Sequence, residues 1–254
     1  MRKKVLVAQS GGPTVAINAS LAGVIAGVAQ SGDYEVFGAA NGIKGVLDEN
    51  FINLSEFRED VKNGKESVSE IKISQPDGTF DTWSPKSMID RLAITPSMYL
   101  GSCRYKLPSV EEGAEVYEKI FSILDKNDIG MFFYIGGNDS MDTVNKLSTY
   151  GRSIDSDIRF AGVPKSIDND LPVTDHTPGY GSAAKYIAAS MAEMAHDVKI
   201  YDIPCVTIVE LMGRNAGWLT GATALSKSEM NLMKCHSLYI FLRLILTKKD
   251  LWKM

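Results

Sequence analysis

IGMFFYIGGNDS, residues 129–140, is an apolar strand that ends in two glycines and passes directly into a helical pattern. The first strand, Lys3 to Ala8, is followed in the same way by a glycine turn at 10–12 and by small and apolar positions over 14–30. Repeated passage from strand through glycine turn to helix is typical of a parallel sheet whose helices cover both faces. These segments therefore predict an α/β fold.

The rest of the chain continues this alternation of strands and helices. Further strands are predicted at 34–40, 158–163 and 203–210, and helices at 110–127, 138–150 and 181–198. Ser109-Val-Glu-Glu112 has the pattern of a capping box at the start of its helix. In open parallel sheets, ligands bind beyond the carboxyl ends of the strands. We therefore expect the functional residues in the polar turns that follow the strands.

The composition is that of an ordinary soluble globular protein. The chain has 254 residues, a formal net charge of -4 and 44% apolar residues, and this charge argues against nucleic acid as the main partner. Three widely spaced cysteines without a CxxC pair argue against a disulfide framework or zinc site and favour a reducing cytosol. Because no run reaches the roughly 18 apolar residues of a membrane span, the predicted location is cytoplasmic.

The most informative polar turn is Pro164-Lys165-Ser166-Ile167-Asp168-Asn169-Asp170, which follows the predicted strand 158–163. Two carboxylates this close repel each other unless a cation, a metal ion or water offsets their charges. Such a group suits phosphoryl transfer, in which one carboxylate accepts a proton, another holds a divalent metal and a lysine contacts phosphate. The alternative is a solvated loop with Asx turns.

Three other turns carry glycine after a predicted strand. Ser10-Gly11-Gly12 and Gly136-Gly137-Asn138-Asp139-Ser140 allow backbone N–H groups and a helix N-terminus to approach a phosphate. A plain tight turn and a helix N-cap are the respective alternatives. Met212-Gly213-Arg214 follows the predicted strand 203–210, and its arginine either holds a phosphate or lies on the surface.

Six segments together resemble the phosphofructokinase family. They are SGGPTVAINAS (10–20), LGSCR (100–104), GGNDS (136–140), PKSIDND (164–170), HTPGYGSAAKY (176–186) and VELMGRNAGWL (209–219). They stand in the family's order, and the resemblance extends to about Met233. It implies a phosphofructokinase-like fold of two similar α/β domains with mostly parallel sheets. We expect a phosphate-donor-binding domain with the catalytic loop at 1–178, and the start of an incomplete sugar-phosphate-binding domain at 179–254.

The resemblance also implies roles for individual residues. Asp168 matches the base that takes the proton from the 1-hydroxyl of fructose 6-phosphate, and Arg214 and Lys165 match catalytic cations. The implied donor-phosphate residues are Gly11, Gly12, Arg104, Gly137, Asp139, Ser140 and Lys165. The implied sugar-phosphate residues are Ser166, Ile167, Asp168, Met212, Gly213 and Arg214. Asn138 and Asp170 match the positions near the Mg²⁺ cofactor, although the family commonly has aspartate at the first.

Two positions of this resemblance select the phosphoryl donor. ATP-using members typically have glycine where Asp139 and Lys165 stand here, and pyrophosphate-using members carry an acidic residue and a lysine. An aspartate in the glycine turn repels a nucleotide's α-phosphate, and a lysine favours compact pyrophosphate. The expected reaction is reversible phosphoryl transfer from pyrophosphate to fructose 6-phosphate, in glycolysis or gluconeogenesis. ATP dependence and an inactive phosphate-binding fragment are the alternatives.

The end of the chain departs from the family pattern. From Lys234 onward the sequence is basic, with an apolar run from Leu238 to Leu246, and it matches none of the family's later sugar-phosphate residues. We expect either a C-terminal helix or a tail that has been truncated or frame-shifted. For a full-length form, the resemblance implies a homo-oligomer, either a dimer or a tetramer.

Overall fold

The computed structural model describes residues 4–32, 34–57, 71–74, 80–83, 87–198, 200, 202–203, 205–213 and 216–226, with the backbone alone at 71–74 and 80–83. The chain forms two compact units, unit 1 (Met1–Lys165) and unit 2 (Ser166–Met254). Its α/β class and mostly parallel sheet confirm the predicted fold class. The predicted tail after Lys234 lies outside the described residues.

Unit 1 carries all the strands that the structure describes. They are β1 (Lys4–Gln9), β2 (Glu35–Ala39), β3 (Phe51–Asn53), β4 (Ile71–Ser74), β5 (Phe80–Trp83), β6 (Ile129–Gly136) and β7 (Arg159–Pro164). Its helices are α1 (Ile17–Gln30), α2 (Gly42–Leu47), α3 (Met88–Ile94), α4 (Val110–Lys126) and α5 (Asn138–Ser153).

The main sheet has the order β3-β2-β1-β6-β7. β1 pairs in parallel with β2 on one side and with β6 on the other, and β7 pairs in parallel with β6. β3 is antiparallel to β2, and β4 and β5 form a separate antiparallel pair. The chain thus moves from β1 to one side and returns on the other, which places a topological switch point between β1 and β6.

The sheet of unit 1 is covered on both faces, as predicted. Along β1, Val5 and Val7 belong to one apolar cluster, and Leu6 and Ala8 belong to the other. Because successive side chains of a strand point to opposite faces, this alternation assigns the clusters to the two sides of the sheet. α1 and α3 cover the first side, and α2, α4 and α5 cover the second. The four β1 side chains are at most 2% exposed.

The helices of unit 1 begin close to their predicted positions, but one predicted cap is wrong. Ser109 is the N-cap residue of α4, yet its side chain makes no hydrogen bond to a helix N–H group. The pKa of Glu111 is lowered by its backbone N–H and then by the Ser109 hydroxyl, so this hydroxyl serves the Glu111 carboxylate instead of the helix. Across the described ranges, the structure contains no helix long and apolar enough to span a membrane.

Unit 2 consists of helix α6 (Tyr180–Val198), helix α7 (Trp218–Ala222) and a 3-10 turn (Thr223–Ser226). The strand predicted at 203–210 is wrong for the residues that are described there, since 205–213 form neither helix nor strand. Val206 and Ile208 are 88% and 80% exposed. An apolar, β-branched run becomes a strand only when a neighbouring strand pairs with it, and no described residue does so here.

Candidate functional site

The switch point between β1 and β6 brings together the first two glycine turns. Ala8 and Gln9 pair with Tyr134 and Ile135, and the backbone N–H of Ser10 donates to the carbonyl of Ile135 at 2.9 Å. The turns at 10–12 and 136–140 therefore leave the same edge of the sheet side by side. Together with Lys165, these two turns are called the glycine edge below.

Lys165 is the charged residue of the glycine edge nearest to the first turn. Its backbone N–H donates to the carbonyl of Gly136 at 3.0 Å, which extends the β6–β7 pairing by one residue. A Cβ built on Gly11 would lie 3.6 Å from Lys165 Nζ and 3.6 Å from the amide nitrogen of Gly137. One point beside the Gly11 backbone is thus within reach of an ammonium group and of a backbone amide at a helix start, as phosphate binding requires.

The glycines of this edge differ in their backbone conformation and in the space around them. Gly11 has φ +85, a conformation that L side chains rarely adopt. A Cβ on Gly136 would collide with the side chain of Ser140, which is 3% exposed. Around Gly12 and Gly137 there is open space within 4 Å. The turns therefore keep their backbones accessible, and Ser140, a predicted donor-phosphate residue, packs against Gly136.

α5 starts directly at this edge. Asn138 and Asp139 form its exposed first turn, so the positive end of the helix dipole lies beside Gly137. The backbone carbonyl of Asp139 accepts a hydrogen bond from the Thr143 hydroxyl at 2.9 Å, and Asp139 itself is exposed. A carboxylate here repels further negative charge beyond a phosphate bound at Gly137.

The loop that contains Arg104 lies against the glycine edge through Ser102 and Cys103. The Ser102 hydroxyl donates to the carbonyl of Gly11 at 2.8 Å, and the Ser10 hydroxyl donates to the carbonyl of Cys103 at 3.4 Å. Arg104 itself is exposed. The predicted donor-phosphate residues of unit 1 are therefore held close together in sequence-distant loops. Ser102 was not predicted, and only its position two residues before Arg104 could have pointed to it.

Beneath these loops lies the buried hydroxyl of Tyr134, which accepts a hydrogen bond from the backbone N–H of Ile43 at 3.3 Å. Burial raises the pKa of Tyr134 to about 12, so the hydroxyl stays protonated at physiological pH. A Cβ built on Gly42 would lie 3.0 Å from the Tyr134 hydroxyl oxygen and 3.0 Å from the sulfur of Cys103. The tyrosine packs beneath the glycine edge as a neutral side chain.

In unit 2, residues 166–170 fold as a compact turn. The Ser166 hydroxyl donates to Asp170 Oδ1 at 2.6 Å and accepts from the backbone N–H of Asp168 at 3.1 Å. One hydroxyl therefore bonds the backbone of the predicted base and the carboxylate of the predicted metal ligand. Asp168, Asp170 and Ile167 are half-buried. This arrangement favours the phosphoryl-transfer interpretation of the sequence over a freely solvated loop.

A second set of hydrogen bonds closes this turn into the loop 166–179, called the aspartate loop below. Asn169 lies between the two aspartates with φ +56 and is 8% exposed. Its Oδ1 accepts from the backbone N–H of Thr177 at 2.8 Å, and its Nδ2 donates to the carbonyl of Asp175 at 3.1 Å. The Thr177 hydroxyl donates to the carbonyl of Ser166 at 2.6 Å.

These hydrogen bonds explain the division of the chain after Lys165. The backbone N–H of Ser166 donates to Pro178 at 3.2 Å, and Ser166 forms a parallel bridge with Gly179. The two ends of the aspartate loop therefore meet directly before α6 begins at Tyr180. Asn169 and Thr177 were not predicted as site residues, although an Asn between two functional aspartates was a signal that could have found the first of them.

The third glycine turn is described in part. Met212 is 68% exposed, and Gly213 has φ +122, at which a Cβ would lie 2.5 Å from the carbonyl oxygen of Ala216. Glycine is therefore required at 213 by the backbone. Arg214, the predicted catalytic arginine, lies outside the described residues.

The donor set for the expected Mg²⁺ is sparse. Within the described residues, no three or more His, Cys, Asp and Glu side chains form a group that could hold a metal ion. Mg²⁺ characteristically binds one or two carboxylates, water and substrate phosphates rather than a cage of protein ligands. Asp170 carries a carboxylate and Asn138 carries an amide oxygen, and each is a type of ligand that Mg²⁺ accepts.

Comparison with known proteins gives a consistent family match. The phosphofructokinase family profile matches residues 4–236. A pyrophosphate–fructose 6-phosphate 1-phosphotransferase of Xanthomonas campestris is 44% identical over 87% of this chain and 47% of the relative. An ATP-dependent 6-phosphofructokinase of Aliivibrio fischeri is 30% identical over 89% of this chain and 58% of the relative. The chain spans about half the length of the pyrophosphate-dependent relative.

Solved structures agree with the sequence comparison. The crystal structure of a pyrophosphate-dependent phosphofructokinase from Nitrosospira multiformis superposes with a TM-score of 0.70 at 38% identity. The match covers 89% of this chain and 50% of that one. Similarity of fold and of sequence thus extends over nearly all of the chain that the structure describes.

Proposed function

The chain belongs to the phosphofructokinase family, and on that premise we propose that it transfers a phosphoryl group from pyrophosphate to the 1-hydroxyl of fructose 6-phosphate. The products are fructose 1,6-bisphosphate and phosphate. The observation that carries the choice of donor is the convergence of Lys165 Nζ and the Gly137 amide on one point beside Gly11. The higher identity to a pyrophosphate-using relative than to an ATP-using one supports the same choice.

Burial of Lys165 strengthens its interaction with a bound anion. The residue is 8% exposed, and its ammonium group is therefore screened less by water than a surface lysine would be. Pyrophosphate is compact and carries several negative charges. It therefore suits the compact ammonium charge of Lys165 better than a nucleotide does. The Asp139 carboxylate then disfavours the additional phosphate of ATP.

The proposed division of labour follows the two parts of the site. Gly11, Gly12, Gly137, Asp139 and Arg104 bind and select the donor phosphates, and Lys165 neutralises them. Asp168 takes the proton of the sugar hydroxyl, and the Ser166 hydroxyl holds the backbone on which Asp168 is presented. Met212, Gly213 and Arg214 contact the sugar phosphate, with Arg214 stabilising the charge that develops during transfer.

Mg²⁺ is the proposed cofactor. When bound, it neutralises the charge of the pyrophosphate oxygens and lowers the cost of transfer between anions. In unit 2, Asp170 would hold it with one carboxylate. We also propose a cytoplasmic location and, for the full-length form, assembly into a dimer or tetramer.

The proposal is tested by a coupled assay of the 254-residue chain with each donor in turn. Formation of fructose 1,6-bisphosphate with pyrophosphate at a rate above that with ATP supports it. Turnover with ATP that exceeds turnover with pyrophosphate contradicts the choice of donor. Binding of pyrophosphate without product formation supports instead a phosphate-binding protein that does not catalyse the reaction.

The donor selection has its own test in Asp139→Gly and Lys165→Gly. These changes are expected to weaken the use of pyrophosphate specifically, because they remove the selecting charges and leave the backbone turn intact. Equal losses with both donors would contradict the assigned role. Asp142→Asn, which alters another exposed carboxylate of α5 four residues before Lys146, is the matched control.

A further inference from the structure

Two amide side chains are buried next to the glycine edge, and neither belongs to the proposed donor residues. Gln9 is the last residue of β1 and is 0% exposed, and Asn18 is the second residue of α1 and is 3% exposed. A buried amide that lacks hydrogen bonds costs about 1–3 kcal/mol. Their partners therefore show what the two side chains stabilise.

Gln9 joins the end of β1 to two other segments. Its Nε2 donates to the carbonyl of Ile17 at 3.1 Å and to Oδ1 of Asn18 at 3.2 Å. Its Oε1 accepts a hydrogen bond from the backbone N–H of Leu100 at 2.9 Å. The residue directly before the first glycine turn is thus bonded both to the start of α1 and to a loop some ninety positions later.

Asn18 bonds the same loop at two further points. Its Oδ1 accepts from the backbone N–H of Tyr99 at 2.8 Å, and its Nδ2 donates to the carbonyl of Thr95 at 3.0 Å. The two amides together bond residues 95–100 to the end of β1 and to the start of α1, which lie on either side of segment 10–16. Each amide nitrogen and each amide oxygen of the pair has a partner.

The loop held in this way continues into the residues that touch the glycine edge. Two positions after Leu100, the Ser102 hydroxyl donates to the carbonyl of Gly11 at 2.8 Å, and Arg104 follows as an exposed cation. Gly11 therefore lies between two anchor points of the same loop. Residues 95–100 thus lead directly into the hydroxyl that bonds the Gly11 carbonyl and into the arginine.

We propose that Gln9 and Asn18 are positioning residues for the donor site. They fix segment 95–104 relative to the glycine edge, so that Arg104 and the Gly11 turn meet the same pyrophosphate. This inference rests on the proposed function. Apolar side chains of similar size would fill the same space, but only a fully bonded amide pair specifies the register of the loop.

The test measures the affinity of the 254-residue chain for pyrophosphate with Mg²⁺ by titration calorimetry, beside its thermal stability. Gln9→Met keeps the volume and removes the loop contact, and we expect about tenfold weaker binding. Tyr117→Phe is the matched control, because it removes a buried hydrogen bond of 2.6 Å to Pro108 in the same unit. It is expected to lower the melting temperature comparably and to leave the affinity unchanged.

Ser102→Ala provides a second variant that does not alter the core. It removes the other anchor of the loop at an exposed position, and we expect about threefold weaker binding at unchanged melting temperature. If Gln9→Met does not fold, the pyrophosphate affinity of Ser102→Ala decides whether the position of this loop controls binding. If the folded variants bind pyrophosphate with wild-type affinity, the positioning role is overturned and the proposed function is not affected. A wild-type chain that does not bind pyrophosphate overturns the proposed function and this inference with it.

Discussion

The ammonium nitrogen of Lys165 lies 3.6 Å from the position that a Cβ on Gly11 would occupy. These residues are separated by most of unit 1 in the sequence and meet because β1 and β7 flank β6 in the sheet. The relationship places a positive charge beside the Gly11 backbone. It is the feature of unit 1 on which the proposed binding of a compact phosphate donor rests.

Gly11→Ala is expected to weaken pyrophosphate binding and to destabilise the protein. The φ of +85 costs an alanine roughly 1–2 kcal/mol, and the added methyl group occupies the space between the Gly11 backbone and Lys165. Calorimetric titration and thermal unfolding measure the two effects. Gly23→Ala within α1, where no atom lies within 4 Å of the new Cβ, is the control. It is expected to stabilise by about 0.5–1 kcal/mol and to leave binding unchanged.

Lys165→Met is expected to weaken pyrophosphate binding. The side chain is 8% exposed, and methionine keeps a similar length while removing the charge. Pyrophosphate affinity should fall by a factor of about ten or more because the point charge is lost, and calorimetric titration beside thermal unfolding measures affinity and stability separately. A variant that loses stability but still binds pyrophosphate would assign Lys165 a structural role.

Thr177→Val is expected to lower turnover more than substrate affinity. The change removes the hydroxyl that donates to Ser166 at 2.6 Å, at a residue that is 0% exposed, and leaves a buried carbonyl without that donor. The loss of stability should be about 1–3 kcal/mol. Because Ser166 holds both Asp168 and Asp170, kcat should fall, whereas the KM for pyrophosphate should change little.

Thr177→Ser is the conservative counterpart, since it retains the hydroxyl and is expected to restore most of the turnover. The two variants are compared by steady-state kinetics over a range of pH. Equal kcat for the valine and serine variants would show that the Ser166 contact does not position the aspartates.

Because Tyr134 is buried, the folded protein is expected to lose stability at alkaline pH. Its pKa is raised to about 12 in the folded state by burial, whereas the unfolded tyrosine has a value near 10. The folded state is therefore favoured fully below pH 10, and this contribution is lost as the pH rises from about 10 to 12. Its size is on the order of 2–3 kcal/mol.

Urea unfolding between pH 8 and pH 11 measures this loss, and Tyr134→Phe is the reference. The phenylalanine variant is expected to be less stable at pH 8, since the amide of Ile43 loses its acceptor. It should also have a shallower decline above about pH 10. Parallel curves for the two proteins would show that another group controls alkaline unfolding.

Most of unit 1 could be predicted from the sequence because its signals are local. The strand at 129–136 is long and apolar, and the glycines after it predict a turn and a new helix, as found at Asn138. Prediction failed at 203–210, where the same apolar, β-branched pattern is not paired with a strand in the described part of unit 2. A pattern specifies that a segment can be a strand, but pairing depends on a partner elsewhere in the chain.

The candidate site was found from residue types, whereas its internal geometry was not. The sequence by itself determined the family, the chemical groups and the polar turns that carry them, because glycine, lysine and aspartate after apolar strands are readable in order along the chain. Only the tertiary structure decided that Lys165 faces Gly11, that Ser166 holds both aspartates, and that Gln9 bonds Leu100. These contacts depend on sheet order and loop closure, which join residues that no local pattern relates.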